Sequence, residues 1–183
     1  VLLRSLAVRS DIVGDRLAAF EAMHISDRVS RRDPITQLWL AEYARRQARP
    51  VSELRHYNAA MLVEPDLQKI VFPIMVRQIS DSRYISSIRP YILEKYRWTE
   101  SFTATAAYQD FESTYRLIQP IMRQMARKGF ERVFAQVIFR LAARGRVEDA
   151  TAVSKQAFQE IDVRQYANAG ITNDTLEIGR AHV

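Results

Sequence analysis

From Phe130 the apolar positions run Phe130, Val133, Phe134, Val137, Ile138, Leu141 and Ala142. That three-and-four spacing lays a single apolar stripe along a helix. Gly145 interrupts the stripe, and a second one begins at Val147 and continues through Ala150, Ala157, Phe158 and Ile161. No stretch of similar length alternates with the period of two that a half-buried strand requires. Breakers are scarce: five glycines and six prolines in 183 residues, with no proline after Pro120. The pattern predicts an all-α chain, with helices of about 12–16 residues joined by short turns as antiparallel hairpins.

The few breakers place the other helix boundaries. Asp33-Pro34 sets a capping carboxylate before a proline suited to the first helical turn, and that helix should run to about Gln47. Pro50 opens the next, to about Glu64. Pro65-Asp66 starts another, through Ile70 and Met75 towards Ser80. Asp81 and Ser82 can cap a short helix that meets Pro90. The threonine- and alanine-rich stretch from Trp98 to Asp110 carries the weakest helical signal. Pro120 should kink or split the segment from Phe111 to Lys128.

A step of 34 residues relates parts of the chain. In Pro34 to Leu67, Leu40-Ala41 form a leucine–small pair on a first helix, with Tyr57, Ala60 and Pro65 on and after a second. Small residues at such positions let two helices approach, and the aromatic fills the gap at their crossing. Thirty-four residues before Ala48 lies Gly14, followed by Ala19 and Met23. Phe134, Val137, Leu141, Gly145, Ala150 and Ala157 fit the same frame from Glu131 to Arg164. The pattern resembles the tetratricopeptide repeat, closely so at Gly145-Arg146-Val147-Glu148-Asp149-Ala150. Three positions depart from it: Gln37 stands for a tryptophan, Ala48 for the turn glycine and Glu53 for an alanine. Leu38-Trp39-Leu40, His56-Tyr57, Val71-Phe72-Pro73 and Trp98 also resemble a group of bacterial tetratricopeptide-repeat proteins of unknown function.

The resemblance implies one domain over residues 1–177, a short α-solenoid of stacked antiparallel hairpins. Its units would cover about 1–33, 34–67 and 131–164, with an irregular helical segment at 68–130. It also implies a non-catalytic scaffold whose first helices line a groove for another protein or peptide. Leu38, Glu42, Arg45 and Arg46 would face that groove in the middle unit, and Arg132, Ala135 and Phe139 in the later one. The lysine–asparagine clamp that some such proteins use for a peptide carboxylate is not visible. Uncapped end repeats would favour self-association.

Composition narrows the chemistry. The sequence has no cysteine, which removes disulfides, thiolate metal sites and cysteine nucleophiles together. Of the three histidines, His24 and His56 fall on predicted helices, and neither has a second histidine one turn away to form a metal-binding pair. Glu148-Asp149 opens a helix, where carboxylates favour the positive end of the dipole. No glycine-rich phosphate loop, nucleophile elbow or dinucleotide fingerprint occurs, so no cofactor and no catalytic residue is expected. The longest nearly unbroken apolar run, Ile70 to Val76, contains Pro73 and is far too short to cross a bilayer. Cytoplasmic and envelope-anchored placement are both compatible with the sequence.

The formal charge is +6, and 27 basic residues include only four lysines. Arginines gather at Arg28, Arg31 and Arg32, at Arg45, Arg46 and Arg49, at Arg123, Arg127, Lys128 and Arg132, and at Arg140, Arg144 and Arg146. Many sit at helix C-termini, where cations complement exposed carbonyls without any ligand. The rest could form a stripe for a polyanion, so a helical-repeat binder of nucleic acid is the alternative reading. The aromatics fall mostly at core spacing rather than between the arginines. The chain opens on Val1, and Ile178-Gly179-Arg180-Ala181-His182-Val183 resembles a translated sequencing adapter. Residues 178–183 are therefore expected to be a non-native tail on a fragment of a longer protein.

Overall fold

The computed structural model of the protein describes residues 2–30 and 32–158. Among these residues there is no strand, and helices account for most of the chain. In order they are α1 (Leu2–Ile12), α2 (Arg16–Val29), α3 (Pro34–Arg46), α4 (Pro50–Val63), α5 (Gln68–Gln78), α6 (Ser82–Glu94), α7 (Thr99–Gln109), α8 (Phe111–Ile118), α9 (Met122–Arg127), α10 (Glu131–Ala143) and α11 (Val147–Phe158). Short 3-10 turns occupy Pro65–Leu67 and Gln119–Ile121. None of these helices is long and apolar enough to cross a membrane. The tail at 178–183, and Arg31, Ile161 and Arg164, lie outside the described residues.

The chain divides into two compact units, Val1–Ile118 and Gln119–Val183. In the first, α1 packs on α2, α2 on α3, α3 on α4, α4 on α6, α5 on α7, and α8 on both α6 and α7. Its interior holds Met23, Leu40, Leu54, Tyr57, Met75, Ile88, Trp98 and Phe102, all buried. The Trp98 indole Nε1 donates to Asn58 Oδ1 at 2.8 Å, so the ring is buried without an unmet donor. In the second unit α10 packs on α11 and α11 on α9. Phe134, Val137 and Leu141 supply the buried stripe of α10, and Ala150, Val153 and Ala157 that of α11.

Local chemistry explains where helices begin. Asp15 accepts from the Ala18 N–H, Asp33 from Ile35, Asp81 from Arg83 and Asp110 from Ser113. Each satisfies an amide that the first helical turn leaves unpaired. Pro34 and Pro50 occupy first-turn positions, where a missing N–H costs nothing. The α3 and α4 boundaries match the spacing of the breakers.

Three turns share one backbone design. Gly14, Ala48 and Gly145 adopt left-handed φ of 87°, 52° and 73°. After each, the next amide reaches back five residues: Asp15 to Ser10, Arg49 to Ala44 and Arg146 to Leu141, at 2.9–3.0 Å. The left-handed residues themselves donate three residues back, to Asp11, Arg45 and Ala142. This is the Schellman closure, which satisfies the last carbonyls of a helix. It joins α1 to α2, α3 to α4 and α10 to α11.

Two boundaries differ from the sequence expectation. Pro90 does not end a helix, because α6 continues through it to Glu94. Proline removes one amide and frees the carbonyl four residues back. Here Pro90 and Ser86 are both exposed, so water can satisfy that carbonyl. Pro65 opens a 3-10 turn rather than α5 itself, which starts at Gln68. The weakly marked stretch after Trp98 is a full helix, α7. Thr103 and Thr99 turn their hydroxyls onto the carbonyls of Thr99 and Tyr96, at 2.6 and 2.8 Å, which lets threonines enter a buried helix face.

Candidate binding groove

Helix α1 runs beside α3 in the same direction. Arg4, early in α1, pairs with Asp33 at the start of α3 at 3.1 Å, and Asp11, late in α1, accepts from Trp39 Nε1 at 3.1 Å. Asp33 also takes a 2.7 Å hydrogen bond from Thr36 Oγ1. Burial pushes the Asp33 carboxyl up, but Thr36, Arg4 and the Ile35 amide outweigh it and hold the group below its ordinary range. These contacts tie α3 to α1, and α3 borders two clefts.

The first cleft, about 160 Å³, is lined by Asp11, Arg16, Trp39, Glu42, Tyr43, Arg46 and Gln47. The second, about 240 Å³, lies between α3 and α5 and is lined by Glu42, Arg45, Ile74, Arg77 and Gln78. Both fall below the 300–1,000 Å³ typical of small-molecule sites, so each has room for a side chain rather than a metabolite. Glu42 belongs to both. Its carboxylate grips Arg45 at 2.6 and 2.8 Å and Arg46 at 2.7 Å, and the Arg45 hydrogen bond leads in holding Glu42 below its usual pKa. The same pairing raises Arg45.

Half-buried aromatic rings form a shelf in the first cleft. Trp39 stacks on Tyr43 with centroids 5.5 Å apart and planes 15° apart, and Tyr43 stacks on Phe20 at 4.5 Å. His24 meets Phe20 edge-on at 4.3 Å. Trp39 and Tyr43 both keep part of their surface in solvent.

Two buried polar clusters underlie α3. In one, Arg55 donates to His56 Nε2 at 3.2 Å, which leaves Nδ1 to carry the proton and donate to Gln37 Oε1 at 2.7 Å. Gln37 Nε2 in turn donates to Asp27 Oδ1. Burial, helped by the Arg55 charge, lowers His56 to about 4, so its ring is neutral at physiological pH. In the other, Glu53 is 1% exposed and accepts from Gln78 Nε2 at 2.6 Å. Burial lifts its pKa to about 7 against the opposing pull of Gln78 and Arg45. Burial and the nearby Glu53 and Tyr57 push the Tyr84 phenol well up, and its hydroxyl has no hydrogen-bond partner.

The residues expected to face a groove separate into two groups. Glu42, Arg45 and Arg46 line the clefts on α3, while Leu38 is half-buried and lines neither. Arg132, Ala135 and Phe139 are exposed on α10, Phe139 at 72%, and belong to the other compact unit. Sequence reasoning missed Arg16, Trp39, Tyr43 and Arg77. The signal was present in Trp39 and Tyr43, which stand four apart and share a helix face with Glu42 and Arg46. Among the described residues, no group of three histidine, aspartate or glutamate side chains is placed to hold a metal ion. The fold defines an all-α protein. The chain matches no protein-family model, and comparison with curated proteins and with solved structures finds no match.

Proposed function

We propose that this protein is a non-catalytic scaffold of tetratricopeptide type, a short α-solenoid of helical hairpins that holds another protein along its first helices. The observation that carries this reading is the repeated turn. Gly14 and Ala48 are 34 residues apart and share a left-handed backbone and the same pair of hydrogen bonds, and Gly145 repeats both in the other unit. The starts of α3, α5 and α7, at residues 34, 68 and 99, keep nearly the same step through the segment that lacks a sequence match. Repeats of this kind contact mainly their neighbours and leave one long face open. On that face the clefts on either side of α3 supply side-chain-sized recesses.

Peptide-array binding of the labelled protein tests the proposal. A scaffold gives selective retention that Arg46→Glu weakens and Arg140→Glu leaves alone. Retention that is absent, or equally changed by both substitutions, would contradict it.

A further inference from the structure

Arg16 and Arg77 stand on opposite sides of α3, one in each cleft, and both are exposed. Neither guanidinium makes an ion pair or side-chain hydrogen bond among the described residues, whereas Arg45 and Arg46 are held by Glu42. Trp39 and Tyr43 line the same cleft as Arg16, and Glu42 borders both that cleft and the one that holds Arg77. We propose that this groove binds a short extended peptide segment with an aromatic side chain flanked by carboxylates. The ring lies against Trp39 and Tyr43, and the carboxylates meet Arg16 and Arg77. This inference rests on the scaffold reading and supplies the chemistry of its partner.

Charge complementarity selects the occupant. The two clefts together carry Arg16, Arg45, Arg46 and Arg77 against Asp11 and Glu42. A uniform polyanion laid along them would set phosphates beside both carboxylates, a repulsion that a peptide avoids. A peptide spaces its acids, and its backbone N–H groups can donate to Asp11, Glu42 and the side-chain carbonyls of Gln47 and Gln78. Aromatic stacking contributes about 0.5–1.5 kcal/mol beyond area burial, and a bidentate arginine–carboxylate pair fixes orientation as well. Length follows from helix spacing. Two neighbouring helix–helix distances of about 8–10 Å each make a path of about 16–20 Å, which five or six extended residues cover at about 3.3 Å apiece.

Fluorescence anisotropy with the full chain tests the inference. The probe is a fluorescein-labelled octapeptide of aspartates and glutamates around a central tryptophan, at low salt. Its analogues carry the corresponding amides in place of the acids, or alanine in place of tryptophan, and an octauridylate serves as the nucleic-acid probe. The expected result is binding at least about ten-fold tighter for the acidic aromatic peptide than for either peptide analogue. The double variant Arg16→Ser/Arg77→Ser should lose about ten-fold with no change in thermal midpoint, because neither side chain has a structural partner. Equal binding of the amide analogue would overturn the inference and leave the scaffold reading standing. No binding of any peptide would overturn both. Tighter binding of octauridylate, lost in the double variant, would assign the groove to nucleic acid and overturn both as well.

Discussion

Stability should be nearly flat between pH 5 and 6.5 because two buried groups pull against each other. Glu53 rises from 4.5 in the unfolded chain to about 7 in the folded one. Between those values the folded state binds more protons, so rising pH destabilises it. His56 falls from 6.5 to about 4, so over its interval the unfolded state binds more protons and rising pH stabilises the fold. Each effect approaches 1.36 kcal/mol per pH unit where the two states differ by a whole proton, or about 1.5–2 kcal/mol over this window. Glu42 and Asp33, held below their ordinary values, lose their stabilising charge only at lower pH. Glu53→Gln keeps an acceptor for Gln78 and removes the titration, so stability should climb about 1.5–2 kcal/mol from pH 5 to 6.5. His56→Asn keeps a donor for Gln37 and should show the opposite slope. Both tryptophans, Trp39 and Trp98, belong to the first unit, so urea titrations followed by their fluorescence read that unit alone. A sloping wild-type curve that neither substitution alters would refute the reasoning.

Five further substitutions can be checked by thermal melts followed by far-ultraviolet circular dichroism, which reads both units. Ala48→Gly should stabilise by about 0.5–1 kcal/mol by relieving a left-handed alanine, and Gly14→Ala should cost a similar amount, since a Cβ there meets nothing within 4 Å and only the backbone objects. Tyr84→Phe should stabilise by about 1 kcal/mol, because it deletes a buried hydroxyl with no partner. Phe102→Ala should cost about 3–5 kcal/mol, since the ring is fully buried against Phe72 and Trp98, whereas Phe139→Ser at an exposed site should change stability by less than about 0.5 kcal/mol.

Much of the fold was legible because it is written in local chemistry. The stripe of α10, the cap at Asp33 and the proline at Pro50 each act within one or two helical turns, so a sequence shows them directly. The 34-residue step led from Ala48 to Gly14, and both prove to be left-handed turn residues. The three departures from the repeat pattern were also informative. Gln37 and Glu53 are buried and hydrogen-bonded across helices, and Ala48 carries backbone strain that a glycine would avoid. Local rules broken at such positions mark places where tertiary contacts have taken over. The continuation of α6 through Pro90 was not legible, because it depends on Ser86 and Pro90 lying on the side of the helix that reaches solvent. Most of the groove was hidden for a related reason. Arg16, Trp39 and Arg77 are far apart in sequence, and only the placement of α2 and α5 beside α3 brings their clefts together on Glu42.

The most direct test of the scaffold reading is a nuclear magnetic resonance titration of the isotope-labelled protein with the acidic aromatic octapeptide. Amide shifts, and the shift of the Trp39 indole N–H, should concentrate on residues around Asp11, Arg16, Glu42, Tyr43 and Arg77. Shifts confined to the opposite faces of α4 and α6, or no shifts at saturating peptide, would contradict a groove along the first helices.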